Sequence, residues 1–402
     1  MLPSFTVFNS PWIQPIGKQV RGESIQSSDS PEQKSRERSL KMKFGLFTIV
    51  PWHEDWTQER SINEALEQIE LADKLGMDEV WIGEHRFSRH GLVSGVWSFL
   101  GQVAARTKQI RIGTAVVVLP LHNPIMVAEE AAMVDVMSGG RLNFGIGSGY
   151  QRQEFEGIGV DINESRERFA EAVDVIIKAW TEEKLTFHGK YTHVDDLWVL
   201  PKPLQKPYPP LFQAVSTTPA SIDFAASRQI QVIAGGPTDI LGQAPQVIKA
   251  WRDKMDEYGH PHEHLDPPMS KAIYVAPTQE EAERDPVGLD DFSSRILRST
   301  GSNGAAIGIP IDAQGNIPPG YEHWANRQQD RDRRDDPGHA GLPPLRGTPE
   351  MVIEQLKQTQ AAGIDHVFGA FGFPGLPHEK VMRSIELFAT QVMPHFQGAK
   401  VS

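Results

Sequence analysis

The chain contains no cysteine, which removes disulfides, thiolate metal ligands and a thiol nucleophile together and leaves the redox compartment open. No window approaches the ~18 consecutive apolar residues of a membrane-spanning helix, so no membrane association is expected. Positive charge is in short supply: 40 Lys and Arg against 52 Asp and Glu give a formal charge of −12. That balance argues against nucleic acid as a partner but permits a small anionic ligand. His260, His262 and His264 alternate along one polar loop instead of converging, and Pro51-Trp52-His53-Glu54 lacks the second histidine of a zincin helix. No metal is expected. The run GIGSGY at 145–150 places Tyr150 where a dinucleotide fingerprint has glycine, and no Rossmann half surrounds it.

What is present is a single alternating pattern. A chain of 402 residues with 39% hydrophobic content is compatible with one large barrel core. Residues 1–42 mix Pro, Ser, Gln and charge without period and read as a disordered tail, with Met42 a candidate start. From residue 43, apolar strands are expected at 44–50, 79–82, 110–117, 142–146, 211–215, 231–234, 271–276 and 364–370. Helical patterns lie between them. The first opens at a capping box, Ser61 with Glu64, and carries the stripe Ile62, Ala65, Leu66, Ile69, Ala72, Leu75. Others span about 96–106, 124–137, 164–180 and 241–258, one starts at Thr218-Pro219, one at Thr348-Pro349, and the last runs 378–391. A hairpin turning at Gly189 interrupts the alternation. Eight strands with intervening helices predict an α/β fold, a single (β/α)8 TIM barrel over 43–397. The segment 284–346 is too long and too rich in Gly, Pro and charge for an ordinary connection, and reads as a lid or a disordered insertion after strand seven.

Parallel strands deliver chemistry at their C-terminal tips. The second strand ends in Gly83-Glu84-His85-Arg86-Phe87. Read alone, His85 is as readily a solvated loop histidine paired with Glu84 as a proton-transfer group, although an imidazole with pKa near ~6.5 suits the latter. Ser216, Thr217 and Thr218 precede a helix start and offer hydroxyls and free N–H groups to an anion. Gly347-Thr348 is a rival, expected to open on the opposite face because its helix precedes strand eight. Trp52, Trp56, Phe87, Trp97, Phe371 and Phe373 lie near strand ends and are candidates for an apolar pocket wall.

EHRF at 84–87, GTAVVVLPLHNP at 113–124, MSGGRLNFGIGSGY at 137–150, EFEGIGVD at 154–161, RGTPE at 346–350 and IELFATQVMPHF at 385–396 together resemble the bacterial luciferase family of flavin-dependent monooxygenases (alkanal monooxygenase-like). The similarity extends over about 43–396. It implies a cytoplasmic, two-component oxidoreductase: reduced FMN from a separate NAD(P)H:flavin reductase reacts with molecular oxygen to give a flavin C4a-peroxide that oxidises a small hydrophobic substrate. It also implies a homodimer, a catalytic role for His85, a non-proline cis peptide at Ala115-Val116 beneath the flavin, and cofactor contacts from Ser148, Tyr150, Arg152, Ser216, Thr217 and Thr218. Ser148 stands where the family places an arginine for the phosphate, and Arg152 is the candidate replacement. A deazaflavin F420-dependent oxidoreductase on the same barrel is the alternative, and it asks for more basic residues around the cofactor tail.

Overall fold

The computed structural model describes residues 41–216, 218–235, 243–286 and 345–397. The expected tail, except residues 41 and 42, the expected lid, except 284–286 and 345–346, and Thr217 lie outside these. In chain order the elements are β1 (Lys43–Thr48), α1 (Gln58–Lys74), β2 (Glu79–Ile82), α2 (Val96–Arg106), β3 (Arg111–Thr114), β4 (Val117–Val118), α3 (Pro124–Met137), β5 (Leu142–Gly147), α4 (Arg152–Ile158) and α5 (Ser165–Thr181). There follow β6 (Leu185–His188), β7 (His193–Leu197), β8 (Leu211–Ala214), α6 (Pro219–Ser227), β9 (Gln231–Gly235), α7 (Ala244–Glu257), β10 (Met269–Val275) and α8 (Gln279–Arg284). The described chain closes with β11 (Leu345–Gly347), α9 (Pro349–Ala361), β12 (His366–Ala370) and α10 (His378–Leu387). Strands β10, β12, β1, β2, β3, β5, β8 and β9 pair in that order, and β9 pairs back to β10. Every pairing in this ring is parallel. The expected eight-stranded (β/α)8 barrel is therefore the fold.

Local chemistry explains where the elements depart from their expected bounds. Helix α1 is capped by Thr57, whose hydroxyl accepts from the Arg60 amide at 3.1 Å, one turn before the expected Ser61. Its inner face begins at Ser61 and ends at Asp73, while Ile62 is exposed. Asp73 is buried because its carboxylate accepts the amides of Lys108, Gln109 and Ile110 and so fixes the turn into β3. The third strand is split in two. The Ala115–Val116 peptide is cis, and β4 continues beyond it alongside β5. Helix α4 falls in a stretch that reads as loop, since only Phe155 and Glu154 are buried in its seven residues and no apolar period announces it. Strand β11 was also not expected, and it runs parallel to β10.

The lumen is filled by Trp81, Phe212, Ile233 and Phe368, with Phe47, Ala115 and Val116 packed against them. Trp81 stacks on Phe368 at 5.2 Å between ring centroids and meets Phe212 edge-on at 5.0 Å. A side chain at Gly113 would collide with the Trp81 ring, so the indole crosses the barrel only because that strand position is glycine.

Below this plug lies a polar layer. Glu79 accepts from Trp81 Nε1 (2.7 Å), Asn143 Nδ2 (3.0 Å) and His366 Nε2 (2.8 Å). His366 Nδ1 faces the carbonyl of Asp266 at 2.9 Å. Both ring nitrogens thus meet acceptors, which requires both to carry hydrogen: the pair is an imidazolium and a carboxylate. Burial opposes both charges, but the Glu79 carboxylate holds the His366 pKa above its usual 6.5 and His366 holds the Glu79 pKa below its usual 4.5. A cavity of about 450 Å³ opens at this N-terminal end, lined in part by Lys43, Asp78, Arg111 and Asn143. It lies opposite the strand tips.

We predict that Glu79→Ala, which strands a buried imidazolium, lowers the unfolding free energy by roughly 3–5 kcal/mol near pH 6. The raised His366 pKa makes the stabilisation complete below 6.5 and lost as pH rises through the raised value. The lowered Glu79 pKa makes it complete above 4.5 and lost as pH falls through the lowered value. Denaturant titrations of wild type and variant at pH 6 and 9 check this: a gap that stays the same or widens at pH 9 contradicts the ion pair.

Candidate active site

The tip of β2 is held by one buried carboxylate. Glu84 accepts from Arg86 Nη2 (2.6 Å) and Nε (3.1 Å), from His122 Nε2 (2.8 Å) and from the Val118 amide (3.2 Å). Burial pushes its pKa up, yet His122 and Arg86 outweigh that and hold it below the usual value. Glu84 thereby joins the tips of β2 and β4 to the loop that leads into α3, whose own start is capped by Asn123.

His85 is consequently not the partner of Glu84. Its Nδ1 lies 3.0 Å from Glu154 Oε1 and 3.1 Å from Gln151 Nε2. Glu154 Oε1 also accepts the Arg86 amide at 2.9 Å. Glu154 and Gln151 are each only 1% exposed, so helix α4 and the residue before it present a buried carboxylate and a buried amide to the β2 loop. The His85 ring lies 4.4 Å from that of His90 and 6.2 Å, edge-on, from Tyr150. Burial first, and the neighbouring His85 second, hold the His90 pKa well below 6.5, so His90 is a neutral ring at physiological pH. Glu154, Gln151, His90 and His122 were not singled out from the sequence. Glu154 stood within a recognised motif, but nothing local shows that its short helix folds back onto the loop 69 residues earlier.

Several strand ends near these groups carry small residues. Gly83 follows Ile82, which pairs with Thr114, and so lies beside Ala115. A methyl group built at Gly83 would sit 3.0 Å from the Ala115 carbonyl oxygen. On β8 and β9, side chains alternate: Phe212 and Ile233 fill the lumen, and Ala214 and Gly235 are two residues further along, both exposed. Small side chains thus follow the aromatic plug at these strand ends, and Gly83 is buried against Ile49.

The remaining sequence candidates divide. Ser148 is half-buried just past β5 and Tyr150 is exposed. Arg152 is the first residue of α4, with its side chain 45% exposed and 3.8 Å from Glu156. Because β5 pairs with β8 in register, Ile146 with Gln213, the Ser148 and Ser216 loops are neighbours. Ser216 Oγ lies 3.2 Å from Thr218 Oγ1, and Thr218 is the N-cap of α6 with Pro219 next. The rival Gly347-Thr348 does not open on the opposite face. Since β11 runs parallel to β10, with Gly347 beside Val275, helix α9 starts on the C-terminal side like the others. There Thr348 Oγ1 binds the Glu350 carboxylate at 2.7 Å, which sets a negative charge where an anion would have to sit.

Trp52 and Trp56 form one half-buried unit past β1: Trp52 Nε1 donates to the Trp56 carbonyl at 2.7 Å, and Arg89 and Arg60 lie over their rings at 4.1 and 4.5 Å. Phe87 is exposed, with φ of 58°, and its ring lies over Gly157 of α4. Phe371 is not a pocket wall. It is 1% exposed and packs edge-on against Phe388 at 5.2 Å, because Phe368 faces the lumen and alternation turns 369 and 371 toward the helices. Trp97 likewise packs on Phe144 in the helix–strand layer, whereas Phe373 is half-buried against Tyr274 at 6.3 Å.

Residues 42–366 match the family described as luciferase-like monooxygenase. Limonene 1,2-monooxygenase of Rhodococcus erythropolis is 28% identical over 370 residues, covering 89% of this chain and 87% of that protein. The oxygenase component of the flavin-dependent trigonelline monooxygenase of Acinetobacter baylyi is 27% identical over 373 residues, covering 90% and 97%. Among solved structures, monooxygenase RslO1 from Streptomyces bottropensis superposes with a TM-score of 0.74 at 27% identity, covering 88% of this chain and 100% of that one.

Proposed function

The chain belongs to the luciferase-like monooxygenase family and is an oxidoreductase, and from that premise we propose that it uses reduced FMN and molecular oxygen to oxidise a hydrophobic organic substrate. The observation that carries this reading is the placement of His85, held by Glu154, beside strand ends that carry only the small residues Ala115, Ala214 and Gly235. A flat tricyclic ring needs room there, and bulkier residues at those positions would fill it. The phosphate is assigned to Ser216, Thr218 and the start of α6, with Thr217 between them in sequence and Ser148, Tyr150 and Arg152 on the adjoining loop. Reduced flavin supplies the electrons that make oxygen reactive toward carbon.

The rest is done by the chain. The imidazole of His85 holds and returns a proton at Nε2, which meets no hydrogen-bond partner among the described residues. Trp52, Trp56 and Phe87 wall an apolar approach that favours a hydrophobic substrate and keeps water from the rim. The relative from Acinetobacter is named as an oxygenase component, which supports a separate NAD(P)H:flavin reductase here. A homodimer would cover the outer face of α3, where Met126, Met133, Val136 and Met137 are 44–56% exposed although the opposite face is buried in the core. A helix apolar on both faces lacks a partner on one of them.

Three outcomes are expected. With chemically reduced FMN, oxygen and a panel of terpenes, aldehydes and aromatics, His85→Ala retains flavin binding but loses roughly 10²-fold or more of substrate oxidation. Wild-type turnover in that variant removes His85 from the reaction, and activity with reduced F420 but not reduced FMN overturns the cofactor. The isolated FMN-loaded protein oxidises NADH and NADPH only slowly until a flavin reductase is added, and rapid stoichiometric oxidation without one contradicts the two-component assignment. In sedimentation, wild type is a dimer and Met133→Lys shifts it toward monomer; a wild-type monomer would mean that the α3 face has another use.

A further inference from the structure

The surroundings of His85 decide more than its position. Nδ1 faces two groups that ask opposite things of it. Glu154 Oε1, at 3.0 Å, can only accept while ionised and requires a hydrogen on Nδ1. Gln151 Nε2, at 3.1 Å, donates and requires a bare lone pair there. We propose that Glu154 is the positioning residue that settles this competition: it keeps the hydrogen of the neutral ring on Nδ1 and leaves Nε2 as the basic nitrogen. The inference rests on the role given to His85 above and says which of its two nitrogens acts.

Three observations favour the carboxylate. A hydrogen bond to an ionised acceptor is roughly twice as strong as one between neutral groups. Glu154 is 1% exposed, so a lone pair turned toward it from Nδ1 would leave a buried charge facing repulsion instead of a donor. The amide, by contrast, can yield. A half turn of the Gln151 side chain exchanges its oxygen and nitrogen, brings Oε1, otherwise without a partner, toward Nδ1–H, and sets the same oxygen before the Tyr150 hydroxyl, now 3.3 Å from Nε2.

The other charged groups nearby do not compete. Arg86 is bound to Glu84, and Glu84 is shared with His122. His90, the ring closest to His85, is neutral at physiological pH. Glu154 is therefore the charge that orients His85, and the Arg86 amide on the same oxygen holds the carboxylate in place from the β2 loop. The arrangement also gives α4 a purpose: Phe155 anchors this seven-residue helix against Val118 and Leu121, and Glu154 beside it faces the group it orients.

The test is the tautomer of His85, read from the ring ¹⁵N shifts of histidine-labelled, flavin-free protein at a pH where the ring is neutral, with His85→Ala identifying the signals. The wild-type ring is expected to carry its hydrogen on Nδ1. In Glu154→Ala it moves to Nε2, with Nδ1 accepting from Gln151, and the near-isosteric Glu154→Gln gives a mixture. Turnover in Glu154→Ala is expected to fall by roughly 10²-fold with flavin binding kept, the low end of what a lost general acid or base costs. A wild-type ring protonated on Nε2, or a tautomer unmoved in both variants, overturns the proposal. If Glu154→Ala does not fold, the wild-type and Glu154→Gln spectra still decide. The tautomer does not depend on turnover, so failure of the oxygenase reading and failure of this one are seen separately.

Discussion

Eight parallel strands close into a ring only if the space they enclose is filled, and here a few large side chains set against glycine fill it. Trp81 spans the lumen against Phe368 and Phe212 because Gly113 has no side chain to stop it. The plug has two consequences. It fills the lumen, so that the barrel is a packed core rather than a pore. It also seals the polar layer of Glu79, Asn143 and His366 beneath from the mouth, with Trp81 itself bridging to Glu79 through Nε1. The barrel thus has a structural end and a chemical end, and a cavity of about 450 Å³ opens at the structural one.

At the chemical end the strand tips need fixing, because loops beyond a sheet have no ladder to hold them. Carboxylates do that work. Glu84 gathers Arg86, His122 and the Val118 amide, which ties β2 to the continuation of the third strand. Glu154 gathers His85 and the Arg86 amide, which ties the same loop to α4. Two consecutive residues, Glu84 and His85, are thus held by separate networks on separate sides. A substitution at Glu84 would be felt through Arg86 at the Glu154 network, so measurements on either carboxylate report in part on the other.

Much of this architecture was legible in the sequence, and the limits follow from physics. The eight barrel strands are short apolar runs set apart by helix-length segments, so their order and number could be read directly; β2 and α2 fall at their expected bounds. The third strand could not be read as split, because nothing in Ala115-Val116 distinguishes it from its β-branched surroundings; only the resemblance carried the cis bond. Helix α4 and strand β11 were missed because both are brief and lack a period. Phe371 was misplaced by one alternation: near a strand end is not the same as facing the lumen, and the parity relative to Phe368 decides. His85 was singled out from the sequence but its partner was not, since sequence proximity favours Glu84 and the fold supplies Glu154 from across the mouth.

Glu79 with His366 and Glu154 with His85 are pairs of the same kind at opposite ends of the barrel, and the difference lies in the second nitrogen. His366 has an acceptor on each side, the Glu79 carboxylate on Nε2 and the Asp266 carbonyl on Nδ1. A ring so placed keeps both hydrogens and exchanges neither, which suits a charge meant to stay. His85 has its carboxylate on Nδ1 alone, and Nε2 is left without a protein acceptor among the described residues. A ring so placed is oriented as firmly but remains free to take a proton and give it back. Structure and chemistry here differ not in the residues chosen but in whether the protein satisfies the last hydrogen bond or leaves it for a ligand.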